Sequence, residues 1–336
     1  MDRLRAALGL QLPLIQAGMG GVAGTLLCTE VSRAGAGGTL ALYKESPGRI
    51  REAVREVAAA TSRPFGVNLV PEVISPERCR AQLDAALDEL PANGYVTTFG
   101  LPGADAARDV ARAGRSLVVQ IGTPDQATAA LRLGADVLVL QGTEAGGHLL
   151  GELPVSELLS VVRTRHPDAV LAVAGGVATG ADLARVRGEG ADGAMAGTVF
   201  VPTPESTAHP LFKRRIVTAR ADDTVVTGRF DIGWPGRPHR VLRNTLTERS
   251  RRLPATFIAT ARVDGGRVPV PRYSATVPGA GTEGRIEEMA MYCGTSCERV
   301  AARDTAAVVV RRIRDEYESE YEHETEGGTW TARSHR

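Results

Sequence analysis

The residues best suited to chemistry stand in one stretch, Val137-Leu138-Val139-Leu140-Gln141-Gly142-Thr143-Glu144-Ala145-Gly146-Gly147-His148. Four consecutive apolar residues, two of them β-branched, read as a strand buried on both faces. The strand stops at an amide side chain and breaks into a turn with three glycines, whose bare backbone can approach a flat ligand closely. His148 closes the turn with an imidazole that exchanges protons near neutral pH. A lone histidine after glycines more often pins a turn than carries a reaction. Its place at the end of a buried strand favours the reactive reading.

The elements that must position this stretch follow a repeating rhythm. Candidate strands fall at 12–16, 38–42, 65–69, 95–99, 117–121, 137–140, 170–174 and 193–196. Helical patterns lie between them at 26–34, 47–60, 76–90, 104–113, 124–133, 155–165 and 180–189. Regular alternation implies parallel strands, and eight units predict an α/β fold of the closed (β/α)8 TIM-barrel type. A competing reading starts at Gly18-Met19-Gly20-Gly21-Val22-Ala23, which fits the G-x-G-x-x-A dinucleotide fingerprint. That fingerprint needs an acidic residue closing the second strand, where this chain has Leu42-Tyr43-Lys44 and only then Glu45. A six-stranded doubly wound sheet would also leave two strands over.

In a barrel, every loop that follows a strand lies on one face. Those loops here supply Met19, Gly20 and Gly21, then Asn68, then Gln141 and the turn to His148, then Gly175 and Gly176, then Gly197 and Thr198. Glycines after the seventh and eighth strands suit a phosphate, and amides such as Asn68 and Gln141 suit the edge of a heterocycle.

After Gly197 the rhythm ends. The pattern predicts a helix over 205–219, short β-like runs over 223–244 and an irregular Pro- and Gly-rich stretch over 253–281. Helical patterns return over 286–291 and 305–317, and a polar, mobile tail is expected from Glu318. The expected organisation is a barrel over 1–220, a cap on the substrate side over 221–285, a helical return over 286–320 and a tail over 321–336. The chain has 336 residues and a net charge of +1, which does not point to nucleic acid. No apolar run approaches a membrane span, and the N-terminus makes a poor signal peptide. Four cysteines suit free thiols and a cytoplasmic location, and Cys293 and Cys297 lack the further ligands that zinc requires.

Several segments together resemble the nitronate monooxygenase (2-nitropropane dioxygenase) family. They are Pro13-Leu14-Ile15-Gln16-Ala17-Gly18-Met19-Gly20-Gly21, Phe65-Gly66-Val67-Asn68-Leu69, Phe99-Gly100-Leu101-Pro102, the turn from Gln141 to His148, Ala174-Gly175-Gly176 and the run from Gly197 to Ser206. The resemblance extends to about Arg314, and the glycine-histidine turn is its most specific piece. It implies FMN across the barrel mouth, with Met19, Gly20, Gly21 and Asn68 near the isoalloxazine ring and Gln141 and Gly146 beside it. Gly175, Gly176 and the segment Met195-Ala196-Gly197-Thr198 would hold the phosphate. His148 would act as acid/base beside the flavin on a nitronate, a nitroalkane or a similarly acidic carbon, with dioxygen as oxidant.

Three departures bear on the substrate. Met195-Ala196-Gly197-Thr198 replaces a common Gln-Met-Gly-Thr, Tyr43 and Lys44 replace a glycine-rich strand end, and Tyr292-Cys293-Gly294-Thr295 replaces Tyr-Ala-Gly-Gln. They suggest a substrate other than a simple nitroalkane. Enoyl-acyl-carrier and quinone reductases, which take NAD(P)H, share the same turn and supply the alternative reading. A flavin-free scaffold is a third reading, opposed by the intact Asn68, Gln141 and His148. The partners expected are a small-molecule substrate and dioxygen, in a monomer or homodimer.

Overall fold

The computed structural model describes residues 2–263, 266–300 and 304–326. Eight parallel strands form the barrel staves: β1 (Leu14–Gln16), β2 (Gly38–Ala41), β3 (Phe65–Leu69), β4 (Tyr95–Phe99), β5 (Ser116–Ile121), β6 (Val137–Gln141), then, past the short β7 (Gly147–His148), β8 (Leu171–Ala174) and β9 (Gly193–Ala196). Their order is β1-β9-β8-β6-β5-β4-β3-β2. The ring closes where Gln16 N–H donates to Gly37 O (2.8 Å) and Gly37 N–H donates to Leu14 O (2.8 Å). The predicted barrel is therefore present, and its eight strands take the place of the open sheet that a dinucleotide fold would need.

Helices α1 (Arg3–Leu8), α2 (Thr25–Arg33), α3 (Pro47–Ala60), α4 (Pro76–Leu87), α5 (Ala104–Arg112), α6 (Pro124–Arg132), α7 (Val155–Arg165) and α8 (Gly180–Gly188) accompany the strands. Three of them start from the same chemistry. Ser46-Pro47, Ser75-Pro76 and Thr123-Pro124 each place a hydroxyl that accepts an N3 amide and a proline with preset φ at the first turn. α1 lies outside the predicted rhythm. Its Leu4 and Leu8 pack into the barrel interior with Ile15, Tyr95, Val118, Val137 and Val139, plugging the end away from the loops. The side-chain period of two then carries each stave from core to mouth. Val137 and Val139 lead to Gln141, Val118 to Gln120, and Ala172 to Ala174.

Beyond the barrel, the structure corrects four expectations. The helix predicted over 205–219 is α9 (Pro210–Thr218), because Pro210 disfavours helical backbone at His209, whose Nδ1 instead accepts Leu211 N–H (3.1 Å). The stretch 253–281 contains a hairpin, β12 (Phe257–Val263) against β13 (Gly266–Pro271), preceded in sequence by the paired β10 (Thr224–Thr227) and β11 (His239–Leu242). Pro269 and Pro271 are tolerated because β13 is an edge strand. The predicted helix over 286–291 is a single 3-10 turn, Ile286–Glu288, after β14 (Glu283–Gly284). The last helix, α10 (Ala306–Glu326), runs past the predicted end at 317. The remainder of the predicted tail, 327–336, lies outside the described residues. Among the described residues no helix is long and apolar enough to cross a membrane.

Candidate active site

The inward residues at the top of the staves form the floor of a cavity of ≈ 180 Å³. Met19, Gly20, Asn68, Gln141, Gly146, His148, Gly175, Gly176, Met195, Ala196, Gly197 and Thr198 all line it. Gly21 is not among its walls; it lines a neighbouring cavity.

The glycine turn is braced from four directions. Gln141 Nε2 donates to His148 O (2.9 Å) and its Oε1 accepts Leu150 N–H (2.9 Å), so this amide ties the turn back onto β6. Val155 N–H at the start of α7 donates to the Glu144 carboxylate (3.1 Å). Arg240 Nε donates to Thr143 O (2.7 Å). Gly146 packs so closely against Gly294 that a Cβ on Gly146 would lie 2.5 Å from the Gly294 nitrogen. Gly294 N–H in turn donates to Thr198 Oγ1 (3.0 Å), joining the turn after β6 to the loop after β9. Thr97 donates to Asn68 Oδ1 (2.8 Å), which fixes that amide and turns its NH2 end into a donor for a ligand.

His148 is not simply the end of a turn. With Gly147 it forms β7, paired antiparallel to His239 and Arg240 of β11. Its ring lies flat on Trp234, with centroids 3.8 Å apart and planes within 13°, and Tyr292 stands 5.1 Å away. Its Nε2 is buried with no hydrogen-bond partner. Burial, then the positive surroundings of His239, Lys44 and Arg237, push its pKa down to about 3, so the imidazole is neutral across the physiological range. Such a group is open to a hydrogen bond from a ligand and does not serve as a resident cation.

His239 is held neutral by its contacts. Phe230 N–H donates to its Nε2 (3.1 Å), which leaves Nδ1–H to donate to Arg237 O (3.0 Å). Arg237 in turn pairs with Glu72 (2.9 Å). Tyr43 reaches the cavity and sets its ring edge-on to Trp234 at 6.1 Å, and Gly20 must be glycine because a Cβ there would meet the Tyr43 ring at 2.4 Å. Burial raises the Tyr43 hydroxyl pKa to about 12, so it stays protonated. Of the three departures, Tyr43, Met195 with Ala196, and Tyr292 with Gly294 all line the cavity. Lys44 does not, and Cys293 is buried behind it.

Trp234, His239 and Gln120 were not picked out by sequence reasoning. For Trp234 a signal existed: it is one of two tryptophans in the chain, set between Gly233 and Pro235, where a turn needs no large ring.

A bound flavin mononucleotide is tested by these walls. Apolar surface from Met19, Val22, Val70, Phe99 and Trp234 suits a flat ring system. Gly175 and Gly176, at φ of 117° and 73°, bring bare backbone to the wall below it. Arg299 donates to Gly176 O (2.9 Å) and pairs with Asp182 (3.1 Å), which holds that glycine turn from outside the cavity. The unpartnered His148 nitrogen and the Asn68 amide complete a donor and acceptor set that fits the group.

The model of the nitronate monooxygenase family matches residues 2–316. A (3aS,4S,5R,7aS)-5-hydroxy-7a-methyl-1-oxo-octahydro-1H-indene-4-carboxyl-CoA dehydrogenase of Mycobacterium tuberculosis is 34% identical over 250 residues, 73% of this chain and 67% of that protein. A nitronate monooxygenase of Pseudomonas aeruginosa is 32% identical over 286 residues, 70% of this chain and 80% of that protein. Among solved structures, FabK from Thermotoga maritima superposes with a TM-score of 0.78 at 25% identity, covering 96% of this chain and 98% of that one. Nitroalkane oxidase from Streptomyces ansochromogenes gives 0.75 at 25% identity, covering 95% and 99%.

Proposed function

Because the chain belongs to the nitronate monooxygenase family of flavin oxidoreductases, we propose that it binds FMN and oxidises a nitronate, or a similarly acidic carbon, with dioxygen. The observation that carries this reading is the His148 Nε2, buried in the cavity without a protein partner. A buried acceptor left open costs roughly 1–3 kcal/mol, which a substrate hydrogen bond would offset.

Met19, Gly20, Asn68 and Gly146 would flank the ring system, and Gly175, Gly176, Gly197 and Thr198 would hold the phosphate, with Arg299 close by. Gln141 acts through the turn, holding the His148 carbonyl in place. When bound, the flavin supplies the electron acceptor for an electron-rich carbon and the route to dioxygen. His148, kept neutral, takes the α-proton of a neutral substrate at Nε2, and the Trp234 face fixes the plane in which that nitrogen is offered. Tyr43 and Tyr292, both kept protonated by burial, narrow the mouth and exclude water.

The purified protein should be yellow and should consume oxygen with a nitronate in the absence of NAD(P)H. Anaerobic addition of nitronate should bleach the flavin, and NADH or NADPH should not. A colourless protein whose extract contains no FMN removes this reading, and rapid bleaching by NAD(P)H alone replaces it with a reductase. His148→Asn should retain flavin and lose at least about a hundredfold in turnover of a neutral nitroalkane.

A further inference from the structure

Beside the flavin cavity lies a second one of ≈ 290 Å³, lined among others by Gly20, Tyr43, Lys44, Arg262, Val277 and Thr282. Gly20, Tyr43 and Val277 also line the first, so the Tyr43 ring is a partition between two spaces. The chain pairs most of its arginines around the cap: Arg237 with Glu72, Arg252 with Asp231, Arg267 with Glu283 and Arg272 with Glu288. Lys44 and Arg262 are different. They come from separate elements, the loop after β2 and strand β12, and converge on the second cavity without a direct ion pair among the described residues, although Glu283, the partner of Arg267, also acts on Arg262. The lining also holds one carboxylate, Glu45, which has an interaction of its own. Thr282 Oγ1 accepts Gly279 N–H (3.0 Å), which leaves its O–H to donate. Lys44 is surface-exposed yet walled by protein, and this lowers its ammonium pKa.

We propose that the second cavity is an anion subsite that takes the phosphate-bearing tail of an elongated ligand whose reacting end lies beside His148. The assignment rests on the flavin-site reading for the position of that reacting end. Two cations and a hydroxyl donor around one cavity match a pyrophosphate better than a single carboxylate, because its several oxygens can meet both cations at once. A small nitroalkane would leave the second cavity unused. A coenzyme A thioester and a nicotinamide dinucleotide both carry the required pyrophosphate.

The test uses the flavin-loaded enzyme, with coenzyme A and NADPH as separate calorimetric probes against wild type and the Lys44→Ala/Arg262→Ala double variant. At least one probe should bind wild type, and the double variant should bind it roughly tenfold or more weakly. Flavin content should be unchanged in the double variant, and turnover of a small nitronate should be unchanged in Arg262→Ala alone, since Arg262 neither lines the flavin cavity nor acts on His148. Binding of coenzyme A alone identifies a thioester substrate. Binding of NADPH with bleaching of the flavin identifies a hydride donor. If neither probe binds wild type, or the double variant binds as tightly, the subsite is wrong. Flavin content is read in the same samples, so a preparation that binds a probe but carries no flavin rejects the function proposed above and leaves the subsite standing.

Discussion

His148 keeps its proton off because it has lost its water. Its pKa falls from the ordinary 6.5 to about 3 in the fold. The unfolded chain therefore binds a proton between these values that the folded chain refuses. Stability present above pH 6.5 is lost as the pH falls through that window. Between pH 7 and pH 5 the wild type should lose about 2 kcal/mol more stability than His148→Asn, measured by urea denaturation at both values. An equal loss in both proteins would mean that the imidazole is hydrated in solution. Its stacking partner, Trp234, gives a second test: Trp234→Phe should keep most of the turnover, and Trp234→Leu should lose roughly tenfold, because only an aromatic face fixes the ring plane. The histidine was legible from its strand and its glycines. Trp234 was not, because 86 residues of chain separate it from His148 and no periodic pattern links an insertion to the stave it covers.

At the scale of elements, Gln141 is the tie on which the turn depends. Gln141→Leu orphans Leu150 N–H and the His148 carbonyl together, and should cost roughly 2–4 kcal/mol in thermal or chemical unfolding and lower flavin retention. Gly146→Ala forces a methyl into the Gly294 backbone and should weaken flavin binding by roughly tenfold or more, checked by flavin release on dilution. The turn could be read in advance because three glycines after a buried run have few other uses. The elements after residue 200 were less legible. Prolines at 210, 269 and 271 mark a helix start in one place and an edge strand in another. Which role applies depends on whether a neighbour needs the missing N–H, and that is a tertiary fact.

In the whole molecule, the barrel was legible because its staves are buried on both faces and so read as apolar runs. What closes it at the outside was less so. Helix α10 lies against α8 and α2, with Val310 and Ile313 fully buried, and a Cβ on Gly180 would meet the α10 backbone at 2.3 Å. Ile313→Ala should cost about 2–5 kcal/mol and lower the melting temperature without changing the flavin spectrum of the folded fraction. A spectrum that shifts while stability holds would place α10 in the site instead. Its helical pattern was visible from 305, but its polar second half looked like a tail, since a run rich in glutamates serves a solvated helix and a disordered end equally well.

The two-residue strand β7 pairs in a sheet with β11 of the insertion and with no stave, and only the Gln141 side chain ties it back to β6. The imidazole is thus mounted on the lid of the vessel, while the glycine and amide ledge that would seat the ring system belongs to its rim. Because β11 holds the backbone of β7 while Gln141 of the ledge holds the His148 carbonyl, a shift of lid against ledge would re-aim the proton acceptor, so in this architecture the choice of substrate and the aim of the base are a single adjustment.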